Sequence, residues 1–146
     1  MAARLWLRIS ALVATLFALG HTLGGRKFWS PQGENPVLQQ MRDVHFNVMG
    51  VSRSYFDFYI AFGYSLSVAM FMQAILLWQI SGLVVTDAAR ARPMIAVITA
   101  AAVLSGIISW LLIFPVPAYF SLVLIVCLVV ALLKAGSHQS ATRLPT

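Results

Sequence analysis

The chain has 146 residues, 60% of them hydrophobic, with 10 Lys and Arg against 4 Asp and Glu and a mean hydropathy of +0.86. A globular domain carries about 25% charged residues, so a soluble enzyme, a nucleic-acid-binding domain and a disordered tail are excluded. At about 20 apolar residues per crossing, the apolar content matches four membrane crossings, and the formal charge of +6 reads as a topology signal rather than a nucleic-acid footprint.

The first predicted span covers residues 5–23. Arg4 and Arg8 followed by an apolar run have the look of a signal peptide, but the run is long enough to cross, so it reads as a retained helix with Arg8 snorkelling to the near interface. The second span covers 56–80, long enough to cross with some tilt. The third covers 94–114 with Pro93 just before it, where a missing amide costs nothing. Pro115 and Pro117 then break the chain, and a fourth span covers 118–133. No Asp, Glu, Lys or Arg occurs between Arg92 and Lys134.

Between the first two spans lies a loop of about 30 residues, long for a compact bundle. Asn35 and Pro36 form a helix start and Gly50 a stop. Val37, Met41, Val44 and Val48 recur at helical spacing between them. This predicts a short amphipathic helix over 36–49, lying on the outer mouth of the bundle.

The predicted architecture is therefore all-α: one transmembrane domain over 1–146, a four-helix bundle with a loop helix. Small residues four apart support close helix contacts: Ala14 with Ala18, Gly20 with Gly24, Gly63 with Ser67, Ala102 with Gly106. Four crossings leave both termini on one side, together with Arg4, Arg8, Arg90, Arg92, Lys134 and Arg143. The other side holds Arg26, Lys27, Arg42 and Arg53. The positive-inside rule then places the termini in the cytoplasm. Trp6 and Trp78 fall near one interface, Trp29 and Trp110 nearer the other.

An ionisable residue inside hydrocarbon is a functional candidate by default. His21 lies about one turn from the outer end of the first span, and Asp57 about one turn into the second from the same side. Arg53 precedes Asp57 by four residues, which on a helix shares a face. Tyr64 extends that face, and Tyr55 and Tyr59 flank it. These groups suit proton transfer to and from a lipophilic substrate, with His21 as acid or base and Asp57 orienting it. The plainer readings are an Arg53–Asp57 ion pair pinning a span end and a His21 that only hydrogen-bonds a neighbouring helix. His45 and His138 read as solvent-exposed. Asp43 and His45, two residues apart, do not share a helix face, so no metal site is expected. Matched histidines for haem are lacking, as are a phosphate loop, a CxxC pair and a nucleophile elbow, so no cofactor is expected. Cys127, alone in an apolar run, reads as a structural thiol. Gln73, Ser67, Ser105 and Ser109 read as interhelical hydrogen-bonders, and no internal repeat suggests a transporter.

The strings Gly20-His21-Thr22-Leu23-Gly24-Gly25, Phe28-Trp29-Ser30-Pro31 and Arg53-Ser54-Tyr55-Phe56-Asp57-Phe58-Tyr59 with Phe62-Gly63 resemble a family of small bacterial four-helix integral membrane proteins. That family has no established activity. The resemblance covers about half the chain; it implies the four-helix architecture and draws attention to His21, Arg53, Asp57 and Tyr59. Similar layouts occur in sterol-isomerase-like and oxidoreductase-associated membrane proteins, whose acidic pairs or cysteines this sequence lacks.

The functional expectation is a polar pocket near the outer mouth that binds a lipophilic small molecule or a membrane lipid, with His21 and Asp57 as its proton-handling pair and Arg53, Tyr55, Tyr59 and Tyr64 as substrate contacts. The alternative is a non-catalytic accessory or assembly subunit of a larger membrane complex, or of a homo-oligomer, docking through the charge-free third and fourth spans.

Overall fold

The computed structural model describes residues 1–25, 30 and 33–141, the last five by backbone only. Arg26, Lys27, Phe28, Trp29, Pro31, Arg143 and the His138 ring lie outside the described residues. The elements, in order, are α1 (Ala2–Gly25), α2 (Pro36–Asp43), β1 (His45–Val48), β2 (Val51–Ser54), α3 (Tyr55–Thr86), α4 (Ala88–Leu112) and α5 (Pro115–Ala141). Helices α1, α3 and α4, with Pro115–Gly136 of α5, are long and apolar enough to cross a membrane.

The predicted span limits need correction. At 1.5 Å per residue, α3 is about 48 Å long. It continues through Gly82 to Thr86, beyond the expected end at 80, because Ile80 and Val84 are buried in the core. Only Asp87 separates it from α4, which starts at Ala88 rather than 94. The Asp87 carboxylate accepts from the Arg90 amide at 3.0 Å and caps the new helix. Pro93 therefore sits inside α4, where it removes one backbone bond early in the helix. Helix α5 starts at Pro115 rather than 118; Pro115 and Pro117 both fall in its first turn, where amides have no intrahelical partner anyway.

The loop helix is also corrected. Asn35 caps α2 as expected, its Oδ1 accepting from the Val37 and Leu38 amides at 3.0 and 3.2 Å. The helix then ends at Asp43 instead of 49, and an antiparallel hairpin follows, with His45 opposite Ser54, Phe46 opposite Arg53, Asn47 opposite Ser52 and Val48 opposite Val51. The stripe 37, 41, 44, 48 fits a helix, but Val44, Phe46 and Val48 also alternate with His45 and Asn47. That period of two, in β-branched and aromatic residues, wins after Asp43. Gly50 is a turn residue, not a helix stop. Met49 and Gly50 both have positive φ, 52° and 83°, as a tight two-residue hairpin requires.

The chain divides into two compact units. The first joins Met1–Phe17 to the chain from Phe71 onward. Its core is assembled from α1, α3, α4 and α5, with Leu7, Leu77, Ile95 and Leu128 fully or almost fully buried. Small residues bring α4 and α5 close: a Cβ on Gly106 would lie 3.1 Å from the Cβ of Ser121, the backbone approach expected of helices packing in lipid. Phe17 stacks on Phe120 at 4.9 Å. The second unit, Ala18–Met70, holds the end of α1, α2, the hairpin and the first half of α3, and with them every candidate site residue.

Candidate functional site

The second unit is built around the start of α3. Ser54, the last residue of β2, is buried, and its hydroxyl accepts from the Asp57 amide at 3.1 Å. In return the Asp57 carboxylate accepts from the Ser54 amide at 2.8 Å. This reciprocal pair is a capping box. A negative charge in the first turn also faces the positive end of the helix dipole. The Ser-x-x-Asp spacing before an apolar run is the sequence signal for it.

The cap changes the expected geometry. Because α3 begins at Tyr55, Arg53 belongs to β2 and does not share a helix face with Asp57. It lies opposite Phe46, and its Nη1 donates to the Ser52 carbonyl at 3.0 Å. The ion pairs among the described residues are elsewhere: Arg42 with Glu34 at 2.8 Å and Arg90 with Asp87 at 3.2 Å.

His21, on α1, meets Ser67 on α3, with Nδ1 3.1 Å from the hydroxyl oxygen. The Ser67 hydroxyl donates to the Gly63 carbonyl at 3.2 Å. Since serine has one proton to give, His21 Nδ1–H is the donor in the first bond, and the neutral ring then carries its lone pair on Nε2. Ser67 lies ten residues beyond Asp57, about 15 Å along the helix axis. His21 and Asp57 are therefore not brought together: one is bonded to Ser67, the other to Ser54.

Helical periodicity explains the separation. Phe56, Ile60, Gly63 and Ser67 form one stripe of α3, intermediate to buried throughout. Asp57, Ala61, Tyr64 and Val68 form the adjacent stripe, exposed throughout. Asp57 and Tyr64 do share a face, as their spacing demands, but it is the outward one. Tyr59 is partly buried beside the inner stripe, whereas Tyr55 is exposed.

An aromatic rim surrounds the helix start. Phe46 packs against Tyr55 at 4.9 Å and Phe58 at 5.3 Å, and Phe56 lies 6.4 Å from Tyr59. The Arg42 guanidinium sits 4.5 Å over the Phe56 ring. The same guanidinium binds both oxygens of Glu34, so the ring contact ties α2 to α3 while the ion pair ties α2 to the segment before it. Among the described residues no three His, Cys, Asp or Glu side chains gather in a way that would hold a metal.

Ser67, expected from the sequence as an interhelical hydrogen-bonder, takes that role with His21 as its partner. Its signal is the spacing from Gly63, which leaves room beside the serine for a residue of another helix. Comparison of the chain with protein-family models, with curated proteins and with solved structures finds no match.

Proposed function

We propose that this is an integral membrane protein that binds a lipophilic small molecule or a membrane lipid at the end of α1 and the first half of α3, with His21 as its proton-carrying group. The observation that carries this reading is the His21–Ser67–Gly63 hydrogen-bond chain inside two helices of membrane-spanning length. A histidine in such surroundings is costly, which makes it a functional candidate by default. With Nδ1–H held by Ser67, Nε2 takes up a proton from a bound molecule, the ring becomes imidazolium, and the same atom returns the proton at a different carbon or oxygen. No oxidant or second substrate enters such an isomerisation. Tyr59 supplies a hydroxyl beside the inner stripe, while Arg53 and Tyr55 lie at the helix start, where the ligand's polar end rests; Tyr64, on the outward stripe, takes no part. Asp57 serves by fixing the start of α3 rather than by sharing a proton with His21.

The topology that goes with this reading has both termini in the cytoplasm of a bacterial cell and the hairpin on the outer side, as the distribution of Arg and Lys favours. The test is native mass spectrometry of the protein purified in mild detergent, with extraction of the bound species. The wild type is expected to carry a lipophilic molecule that His21→Ala and Ser67→Ala lose and Asp57→Asn keeps. Equal loading of wild type and His21→Ala overturns the reading.

The second reading, an accessory subunit of a larger membrane complex, is favoured by the exposed surface of α4 and α5 between Arg92 and Lys134, which carries no charged residue and includes Val97, Leu104, Trp110 and Leu122. The same purification separates the two. A stoichiometric membrane-protein partner supports the subunit, and a lone protein carrying the ligand supports the binding site.

A further inference from the structure

The first unit holds a second polar feature, independent of His21. Arg4 and Arg8 lie four residues apart on α1, hence on one face, and with Met1 and Leu5 they line a cleft of about 250 Å³. Arg4 also borders a neighbouring cleft of about 590 Å³ formed with the α3–α4 turn, whose lining includes Asp87. The Arg8 guanidinium lies 4.8 Å over the Trp78 ring. Stacking uses the flat face of the guanidinium and leaves its N–H donors pointing outward in the plane. One of these donors, Nε, is buried and has no hydrogen-bond partner among the described residues. The nearby carboxylate, Asp87, is already engaged by the Arg90 side chain at 3.2 Å and the Arg90 amide at 3.0 Å.

We propose that Arg4 and Arg8 bind the phosphodiester of an anionic phospholipid. Two guanidiniums on one helix face, one of them held rigid by a tryptophan and carrying a buried unsatisfied donor, match an oxyanion with several acceptor oxygens. Protein carboxylates do not supply that acceptor here, and a zwitterionic lipid offers the same phosphate without the net negative charge that two arginines favour. What selects a lipid over free phosphate is the surface that continues from Arg8. Leu5, Leu12 and Leu16 are all more than half exposed; Leu5 precedes Arg8 by three residues, and Leu12 and Leu16 follow it at four-residue steps along the same face. An acyl chain lies along these leucines when its head group is on the arginines.

The experiment uses the full chain in nanodiscs of phosphatidylcholine alone or mixed with an equal amount of phosphatidylglycerol, read by native mass spectrometry of the retained lipid. The wild type retains phosphatidylglycerol in preference to phosphatidylcholine. Arg4→Gln and Arg8→Gln each weaken that preference roughly fivefold, the value of one cationic side chain near a lipid surface, and Arg8→Lys restores only part of it because the fork is lost. Arg42→Gln, which removes a cation paired with Glu34 in the other unit, leaves the preference unchanged. Should Arg8→Gln fail to fold by circular dichroism, the exposed Arg4 carries the test. An undiminished preference in both glutamine variants, or none in the wild type, overturns the site. Displacement of the lipid by inorganic phosphate at equal concentration overturns the assignment to a lipid.

Discussion

The two units differ in how far their polar side chains reach. In the first, the hydroxyls of Ser10, Thr15, Ser81 and Thr99 all donate to carbonyls three or four residues back in their own helices. Such bonds satisfy the group without involving a neighbour, so the contacts between elements are left to apolar and small residues. In the second unit Thr22 and Ser67 do the same, but other polar bonds reach beyond the residue's own element: His21 to Ser67, Asp57 to Ser54, Arg42 to Glu34. The first unit is held by shape and the second by hydrogen bonds and ring contacts. A functional group is easier to place in the second kind of structure, because its orientation is set by a partner and not by packing alone.

The largest expected effect tests the packed unit. Leu128 is fully buried, and Leu128→Ala should destabilise the protein by about 2–4 kcal/mol through the cavity it leaves. Denaturant titration in micelles measures it, and a loss near zero would mean that packing does not hold this unit. Gly106→Val pushes side-chain atoms into Ser121, which already stands 3.1 Å from a Cβ placed there. A cost of about 1–3 kcal/mol is expected, seen in the same titration. In the second unit effects should be smaller and local. Ser54→Ala removes the cap of α3 and should cost about 1 kcal/mol, with faster amide exchange confined to the first turn of α3. Gly50→Val places a β-branched residue at φ 83° and should loosen the hairpin by about 1–2 kcal/mol, read by proteolysis at its tip while global unfolding is unchanged. The smallest effect has the opposite sign. Met49, 98% exposed with φ 52°, is a poor residue for its conformation, and Met49→Asn should stabilise the hairpin by about 0.5 kcal/mol.

These contrasts also show what was legible before the structure. The four long helices follow from hydropathy, which depends only on composition along the chain. Asn35 and Pro36 were readable as a helix start because cap chemistry is local. The hairpin was hidden because Val37, Met41, Val44 and Val48 fit a period of 3.6 while Val44, Phe46 and Val48 fit a period of two. Which period prevails depends on whether a second strand, residues 51–54, is at hand to pair. The surroundings of Asp57 were hidden for a related reason: where α3 starts decides whether Arg53 is a helix neighbour or a strand residue opposite Phe46.

Sequence alone determined that this chain has four membrane-spanning stretches, where its cations lie, and that His21 and Asp57 are the ionisable groups to explain. Those conclusions rest on local composition and spacing. Tertiary structure decided which partner each group took. Asp57 bonds Ser54 because α3 starts directly after β2, whereas His21 bonds Ser67 because contacts between helices depend on which stripe of α3 faces inward. That orientation is set by the packing of the whole helix and is not written at any single position.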